Sequence, residues 1–247
     1  MRIAALYDIH GNLPALDAVL AEVRAKAVDH IVVGGDIFPG PLSIEVLDRL
    51  VALDIPCQFI RGNGDRAVLE TWRGAEPTAV PTSVLPALRW LAARLDTKRA
   101  KLLAQWPANA ALEIDGIGRV LFVHASVRND TDIVTRRTSA DRLHEHFAGV
   151  DADVIVCGHT HMQFDLQVGP ARVVNAGSVG MPFGERGAYW LLLDSVVSPQ
   201  HTLYDFEPAA ARIRASGYPQ ADEFATRYVL GPPTEEEMLT VYDRANA

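Results

Sequence analysis

Side chains that bind metal ions follow short apolar runs at five places in this chain. They are, in order, Asp8 with His10, Asp36, Asn63, His124, and His159 with His161. In the first and last sets the two side chains are two residues apart, so on an extended segment they would lie on one side, about 6.6 Å apart. Mixed imidazole and carboxylate ligands suit Mn, Fe, Zn, Co or Ni. The residue types therefore predict a metal site and leave the metal open.

Each set also has an ordinary structural interpretation. The stretch from Gly158 to His161 could be a surface turn, and Asp36 could cap a helix or close a turn. The number of sets favours a shared site, because they follow five separate predicted strands. Parallel strands end at one edge of a sheet, and open α/β folds bind their ligands there. We therefore expect the five sets to converge.

The elements that would position these side chains begin as parallel β–α units. Apolar strands are expected over 2–7, 30–33, 56–60 and 153–157. The helix expected over 13–27 has Leu16, Val19, Leu20 and Val23 at helical spacing, with Asn12 placed to cap it. The strand over 153–157 is short and β-branched, which is typical of a strand covered on both faces. Gly158 then allows a sharp turn.

Helices and hairpins are predicted for the rest of the chain. Residues 66–110 predict a helical insertion with helices over 66–73, 83–95 and 97–106, followed by a β-hairpin over 112–123 and a helix over 139–148. Strands are expected over 163–168 and 171–174, and a second hairpin over 188–194 and 201–206. A helical tail over 208–247 ends in a helix that Thr234 and Glu237 would cap, and it would pack on the body or on a second subunit. This order predicts an α/β protein with two packed sheets and helices outside.

Composition limits the partners of the protein. The 247 residues, 49% of them hydrophobic, predict one domain over 1–247 with a substantial core. There are 23 basic and 31 acidic residues, which argues against an extended nucleic-acid surface, so a phosphate group would need local positive charge such as a metal. No apolar run reaches the roughly 18 residues that span a bilayer, and Asp8 interrupts any signal-peptide core, so we expect a cytoplasmic protein without membrane contact.

The remaining candidate residues receive structural interpretations. His144 and His146 are about 200° apart on a helix and are expected at the surface, and His30 and His201 are expected to be structural parts of strands. Cys57 and Cys157 lie in apolar strands as free thiols. Three arginines next to the polar sets could contact phosphate or could pair with neighbouring carboxylates. They are Arg61, Arg66 and Arg128.

The polar sets, taken in order, resemble the motifs of the calcineurin-like metallophosphoesterases, in particular the small bacterial and archaeal phosphodiesterases. The similar motifs are Asp8-Ile9-His10-Gly11, Gly35-Asp36, Gly62-Asn63-Gly64-Asp65, Val123-His124-Ala125, Gly158-His159-Thr160-His161 and Asn175-Ala176-Gly177-Ser178. The resemblance covers residues 1 to about 182. It implies a four-layer α/β/β/α sandwich that holds two divalent ions. By position, Asp8, His10 and His161 would bind the first ion and Asn63, His124 and His159 the second, with Asp36 bridging.

The resemblance also implies a reaction. A hydroxide bridging two dications would attack a phosphodiester in line, and phosphomonoesters stay open as a second substrate class. Phosphoprotein and nucleotide substrates stay open because the metal core is common to them, and so does a non-catalytic scaffold such as the retromer-subunit relatives. The expected partner is a small phosphate ester, and a homodimer is a further possibility. The residues expected to act on it directly are Asp36, Asn63 and Asp65.

The chain departs from the family pattern at Gly64. Many relatives have a histidine there that protonates the leaving group or stabilises the developing charge, and glycine can do neither. Asp65 is the candidate acid in its place. Its alternative role is to cap the next helix.

Overall fold

Two five-stranded sheets form the centre of the protein, whose computed structural model describes residues 1–77 and 80–245. The first sheet has the order β10-β9-β1-β2-β3 and contains β1 (Ile3–Leu6), β2 (His30–Val33), β3 (Cys57–Phe59), β9 (Ala188–Leu193) and β10 (Val197–Thr202). The second has the order β4-β5-β6-β8-β7 and contains β4 (Asn109–Ile114), β5 (Gly118–Val123), β6 (Val154–Cys157), β7 (Phe164–Val168) and β8 (Ala171–Asn175). Three neighbouring strands are parallel in each sheet, β1-β2-β3 and β5-β6-β8. Their carboxyl ends are the strand ends that carry the polar sets.

Side chains of the central strands point alternately to the other sheet and to the outer helices, which produces four layers. Ile3, Ala5 and Tyr7 of the β1 segment pack between the sheets, whereas Ala4 and Leu6 point to the helices on the outer face. The β6 strand alternates in the same way, since Val154 and Val156 face the other sheet while Ile155 and Cys157 contact the helix side. The predicted α/β/β/α sandwich is therefore confirmed.

Helices cover both outer faces. On the first sheet they include α1 (Leu13–Ala25) and α2 (Ser43–Val51), and on the second α6 (Ala140–Phe147) packs Leu143 and Phe147 against the strands. The predicted apolar stripe of α1 is buried, and the Asn12 side chain caps this helix by accepting a hydrogen bond from Ala15 N at 3.2 Å.

The segment between β3 and β4 is helical, as predicted. It contains α3 (Asn63–Trp72), a 3-10 turn over Thr82–Val84, α4 (Leu85–Ala92) and α5 (Thr97–Ala104). The first of these helices begins three residues before the predicted start, so that Asn63 is its first residue. That position places a candidate ligand at a helix N-terminus directly after β3.

The C-terminal tail packs on the body of the protein. It consists of α7 (Phe206–Arg214), α8 (Ala221–Phe224) continued by a π-helical turn over Ala225–Leu230, and α9 (Glu235–Ala245). The predicted capping box of α9 is present, since Thr234 N donates to Glu237 Oε2 and Glu237 N donates to Thr234 Oγ1. Leu239 of α9 is fully buried against Met162 and Phe183.

Two sequence predictions were wrong. The strand expected over 201–206 lies over Val197–Thr202, and Phe206 begins a helix. Pro199 lies within it without loss of a ladder bond because β10 is an edge strand. His146 is buried, with Nδ1 2.9 Å from Asp132 Oδ2, because it shares a helix face with Leu143 and Phe147.

The other histidine and cysteine predictions agree with the structure. His144 is exposed, while His30 and His201 lie in β2 and β10. Cys57 and Cys157 are free thiols. Among the described residues, no helix is long and apolar enough to cross a membrane.

The layer between the sheets makes a stability prediction. Phe122 of β5 is fully buried there, two residues before His124. We expect Phe122→Ala to lower the free energy of unfolding by about 3–5 kcal/mol, because the cavity cannot close completely between two sheets. Leu203→Ala, at a side chain that is 68% exposed, is the control and should change it by less than about 0.5 kcal/mol. Urea denaturation measures both, and equal effects would contradict this packing.

Candidate metal centre

Left-handed backbone at the strand ends turns the candidate ligands toward one point. Five of them have positive φ, namely Asp8 at 52°, His10 at 44°, Asp36 at 55°, His159 at 66° and His161 at 59°. In the described chain the other non-glycine residue with this conformation is Ala27. Such backbone costs roughly 1–3 kcal/mol per residue and concentrates at functional sites. His159 and His161 therefore reach the site from a left-handed turn and not from the extended segment that the sequence predicted.

Asp8 lies at the centre of the cluster with one oxygen unsatisfied. Its Oδ2 accepts the backbone N–H of His159 at 2.8 Å. Its Oδ1 is buried without a hydrogen-bond partner and lies 3.4 Å from Nε2 of His161 and 3.9 Å from Nε2 of both His10 and His124. A buried carboxylate oxygen without a partner costs free energy unless a cation occupies the space beside it.

Backbone carbonyls fix the orientation of three imidazoles. His10 Nδ1 lies 3.0 Å from Pro39 O, His124 Nδ1 2.9 Å from Gly34 O, and His161 Nδ1 2.7 Å from Met181 O. Because a carbonyl oxygen only accepts, each Nδ1 must carry the proton. In the neutral ring the lone pair is then on Nε2, which is the usual arrangement of a histidine that binds a metal.

These lone pairs face one another. Nε2 of His10 lies 3.3 Å from Nε2 of His161, and neither neutral ring has a proton there to donate. A cation between the two nitrogens would convert this repulsion into two coordinate bonds. Together with the unsatisfied oxygen of Asp8, the donor set fits a divalent transition metal.

Asp36 connects this group to a second one. Its Oδ2 lies 3.7 Å from Nε2 of His10 and 3.6 Å from Nε2 of His124, while its Oδ1 accepts the N–H of Gly64 at 2.8 Å. Within the described chain, ligand atoms of Asp8, His10 and His161 lie within 4.8 Å of one another, and so do those of Asp8, Asp36 and His124. Both carboxylates therefore face both groups, and the bridging role of Asp36 stays a prediction.

Asn63 and His159 complete the predicted set. Oδ1 of Asn63 lies 2.9 Å from Nε2 of His124, and the ring of His159 lies 5.3 Å from that of His124. Both residues line the same cavity as His10, Asp36 and His161. The structure thus brings all seven predicted ligands together.

Burial and mutual charge set the protonation of the cluster. Burial and, to a smaller extent, the neighbouring His161 lower the pKa of His10 to about 3. Burial raises the pKa of Asp36 to about 7. Burial would also raise the pKa of Asp8, but His161 and the other imidazoles hold it below its usual value. Burial would lower the pKa of His124, but Asp36 and Asp8 raise it above its usual value. Asp36, whose pKa is about 7, is therefore partly protonated near neutral pH.

Asp65 has the geometry of a cap. Its Oδ2 accepts the N–H groups of Asp36 at 2.8 Å and Gly62 at 3.0 Å, and its Oδ1 accepts that of Phe38 at 3.1 Å. The residue is fully buried. No surface of its carboxylate is open to a substrate, so this geometry favours the capping alternative over the acid role.

Close packing explains the glycine at position 64. A Cβ there would lie 2.2 Å from Phe38 O and 2.8 Å from Pro39 Cδ. The histidine found in many relatives therefore has no room in this chain. The close approach of Gly64 to the Phe38–Pro39 segment places that segment beside the ligands His10 and Asp36.

The three candidate arginines border a cavity of about 250 Å³ next to His124. Arg66 forms a two-point ion pair with Asp130, at 2.7 and 2.9 Å, and Arg128 pairs with Glu145. For these two the carboxylate-pairing alternative describes the structure. The Arg61 side chain is half-buried on the wall of the same cavity.

Sequence reasoning missed the other walls of the cavity that the metal ligands line, which we call the main cavity. From the metal ligands this cavity continues to side chains of the helical insertion and of the tail, including Val84, Leu88, Tyr218, Phe224 and Tyr228. Met181, whose backbone carbonyl orients His161, also lines this cavity. The one available signal was the concentration of aromatic residues in an otherwise polar tail.

Comparison with known proteins identifies the family. Residues 1–196 match the family model described as the calcineurin-like phosphoesterase superfamily domain, so the chain belongs to this superfamily. It is similar to a crystal structure of a metallophosphoesterase from Sphaerobacter thermophilus, with a TM-score of 0.72 and 26% identity over 94% of this chain and 99% of the other. The hypothetical protein PH1004 from Pyrococcus horikoshii OT3 has the same fold, with a TM-score of 0.76, 21% identity and the same coverage.

Curated sequence relatives match smaller parts of the chain. The uncharacterized protein MJ0912 of Methanocaldococcus jannaschii is 26% identical over 196 residues, which is 73% of this chain and 76% of that protein. A symmetrical bis(5'-nucleosyl)-tetraphosphatase of Yersinia pestis is 28% identical over 136 residues, or 54% of this chain. The match spans 45% of the tetraphosphatase, so it covers less than half of that enzyme.

The two roles of Asp65 make different predictions. In Asp65→Asn the amide N–H₂ would face the N–H of Phe38 or Gly62, so we expect a loss of about 1–3 kcal/mol in the free energy of unfolding. Glu237→Gln makes the same change in the exposed capping box of α9 and should cost less than about 1 kcal/mol. Urea denaturation measures both. Unchanged stability, combined with loss of the basic limb of the pH–rate profile, would instead assign Asp65 as the acid.

Metal binding should release protons in a pH-dependent way. A cation needs Asp36 ionised, and the pKa of Asp36 is about 7, so near neutral pH this carboxyl group must lose a proton on binding. We expect the apparent affinity for Mn²⁺ to rise between about pH 6 and pH 8 and proton release to fall toward zero above that range. Calorimetric titration in two buffers with different ionisation enthalpies measures the protons released. Proton release that does not change with pH would contradict this protonation pattern.

Proposed function

We propose that this calcineurin-like phosphoesterase hydrolyses phosphodiester bonds, and also phosphomonoester bonds, with two divalent metal ions. The observation that carries the proposal is the electrostatically incomplete cluster. Three imidazole lone pairs and two carboxylate oxygens point into one buried space, with the Nε2 atoms of His10 and His161 only 3.3 Å apart. Cations are the species that would complete it.

The ligands divide into two sets around the two carboxylates. Asp8, His10 and His161 would hold one ion, and Asn63, His124 and His159 the other, with Asp36 between them. Two dications with two carboxylates leave net positive charge, which an anionic phosphoryl group needs in a chain of net charge −8. Bound ions of this kind supply Lewis-acid polarisation of phosphate oxygens and a water nucleophile that is ionised at neutral pH.

The protein's own residues contribute orientation and protection from water. The carbonyls of Pro39, Gly34 and Met181 keep three imidazoles in one tautomer, so each Nε2 stays free to bind. The Asp65 carboxylate accepts hydrogen bonds from the backbone N–H groups of Asp36 and of Gly62, the residue before Asn63. The ligands are therefore held ready before a substrate arrives, which reduces the reorganisation needed during the reaction.

The leaving group has no evident protein acid in this arrangement. Gly64 has no room for a histidine, and Asp65 is enclosed by backbone N–H groups. We therefore assign protonation of the leaving group to solvent or to a group in the main cavity. Esters of acidic alcohols or phenols fit such a site best, because their leaving groups depart without protonation.

Removal of one ligand tests the proposal. We expect His161→Ala to lower kcat/KM for bis(p-nitrophenyl) phosphate by more than about a hundredfold in Mn²⁺-loaded protein, since several kcal/mol of transition-state stabilisation depend on the ions. His144→Ala removes an exposed histidine outside the cluster and is the matched control. It should retain the wild-type rate.

The scaffold alternative has a different outcome. Wild-type protein that binds metal but hydrolyses neither bis(p-nitrophenyl) phosphate nor p-nitrophenyl phosphate would favour a non-catalytic role. Equal activity of the His161→Ala and wild-type proteins would show that the reaction does not use this cluster.

A further inference from the structure

The main cavity joins the metal ligands to an apolar pocket. It has a volume of about 280 Å³, and its lining includes the candidate ligands His10, Asn63, His159 and His161. We define the aromatic pocket as the part of this cavity that is lined by Val84 and Leu88 of the insertion, Met181, and Tyr218, Phe224 and Tyr228 of the tail. A phosphate held at the ligands would therefore have its organic substituent beside this pocket.

Ring contacts hold the pocket wall in place. The rings of Phe224 and Tyr228 meet edge to face at 5.4 Å, four residues apart along the α8 and π-helical segment. The ring of Tyr218 meets Trp90 of α4 edge to face at 5.7 Å. Tyr218 and Phe224 are 7% and 4% exposed, so their positions are set by packing on both sides. A wall of this kind is ready for a flat ligand without rearrangement.

The three aromatic rings of the pocket come from outside the segment that matches the family model. Tyr218, Phe224 and Tyr228 lie beyond residues 1–196, the part that matches the superfamily domain, whereas Val84, Leu88 and Met181 lie within it. The metal-binding strands and these three rings are thus contributed by different parts of the chain. This division is what a specificity pocket added to a common catalytic core requires.

The charge and the size of the aromatic pocket limit the kinds of group that it can bind. Among the described residues that line the pocket beyond the ligands, Glu223 is the charged one and no arginine or lysine is present, which disfavours a second phosphate or a polyanion. Pockets for small molecules begin at about 300 Å³, so the space suits one compact group and not a polymer. Aromatic walls favour a planar ring by offset or edge-to-face contact.

We propose, resting on the proposed function, that the aromatic pocket binds the planar aromatic substituent of a phosphate ester and thereby selects aryl or nucleoside esters over alkyl esters. The contact is made by ring faces and edges, with Gln220 placed on the pocket wall as a polar partner for a heteroatom of the ring. The selection acts on binding of the organic group. It needs no change at the metal ligands.

Two non-hydrolysable probes that differ only in this substituent test the proposal. We expect phenylphosphonate to bind Mn²⁺-loaded protein about tenfold or more tightly than methylphosphonate, with a more negative heat-capacity change because apolar surface is buried. Isothermal titration calorimetry at several temperatures measures both quantities. Equal affinities for the two phosphonates would overturn this inference.

Variants of pocket residues test whether the preference for phenylphosphonate arises in the aromatic pocket. Tyr228→Ala should reduce the affinity ratio about three- to tenfold, whereas Tyr228→Phe, which keeps the ring, should preserve it. Val84→Trp fills the pocket from a half-buried position and should also reduce the ratio. Leu203→Ala, outside the pocket, is the control. A ratio that none of these variants changes would place the phenyl group elsewhere and overturn the assignment.

Hydrolysis separates this inference from the proposed function. Wild-type activity on bis(p-nitrophenyl) phosphate with equal phosphonate affinities would leave the function standing and remove the pocket's role. Absence of hydrolysis would remove the function, while a phenyl preference that Tyr228→Ala abolishes would still establish the pocket as a ring-binding site.

Discussion

The constraint on which this structure depends is the convergence of electron-rich atoms in a buried space. Asp8 Oδ1, Asp36 Oδ2 and the Nε2 atoms of His10, His124 and His161 each lie within about 4 Å of another atom of this group, and Asp8 Oδ1 is buried without a hydrogen-bond partner. Solvent cannot dissipate this repulsion because the residues are largely buried. The arrangement is thus poor as protein packing and good as a coordination sphere.

The layered fold exists around this point. Parallel strands in both sheets end at the same edge, and backbone hydrogen bonds tie those ends together, as between Asp8 N and Gly35 O and between Gly158 N and His124 O. Glycines permit the contact, since a Cβ at Gly158 would lie 2.5 Å from Asp8 Oδ2. The hydrogen bond that His159 N donates to Asp8 Oδ2 then links the strand ends of the two sheets, next to the inter-sheet core.

Much of the fold and of the metal centre could be predicted from the sequence because the informative features are local. An apolar strand followed by Asp-x-His or His-x-His shows both the element and the ligand, and the repetition of such ends predicts their convergence. His146 was misjudged because its face is defined by Leu143 and Phe147, and the last strand because Pro199 is tolerable only at a sheet edge. The aromatic wall was inaccessible because Phe224 and Tyr228 have the spacing of any buried helix face. Which cavity they border depends on how the tail folds back, and that is a long-range property.

The left-handed turns at five ligands have a consequence for the molecule's evolution. Asparagine, aspartate and histidine tolerate this backbone better than β-branched residues do, so few substitutions at these positions are free of conformational cost even before any chemistry is considered. Changes that relax these turns would make the fold more resistant to heat and would at the same time withdraw the side chains from their shared point. Selection for robustness and selection for turnover therefore act in opposite directions on the same few peptide units.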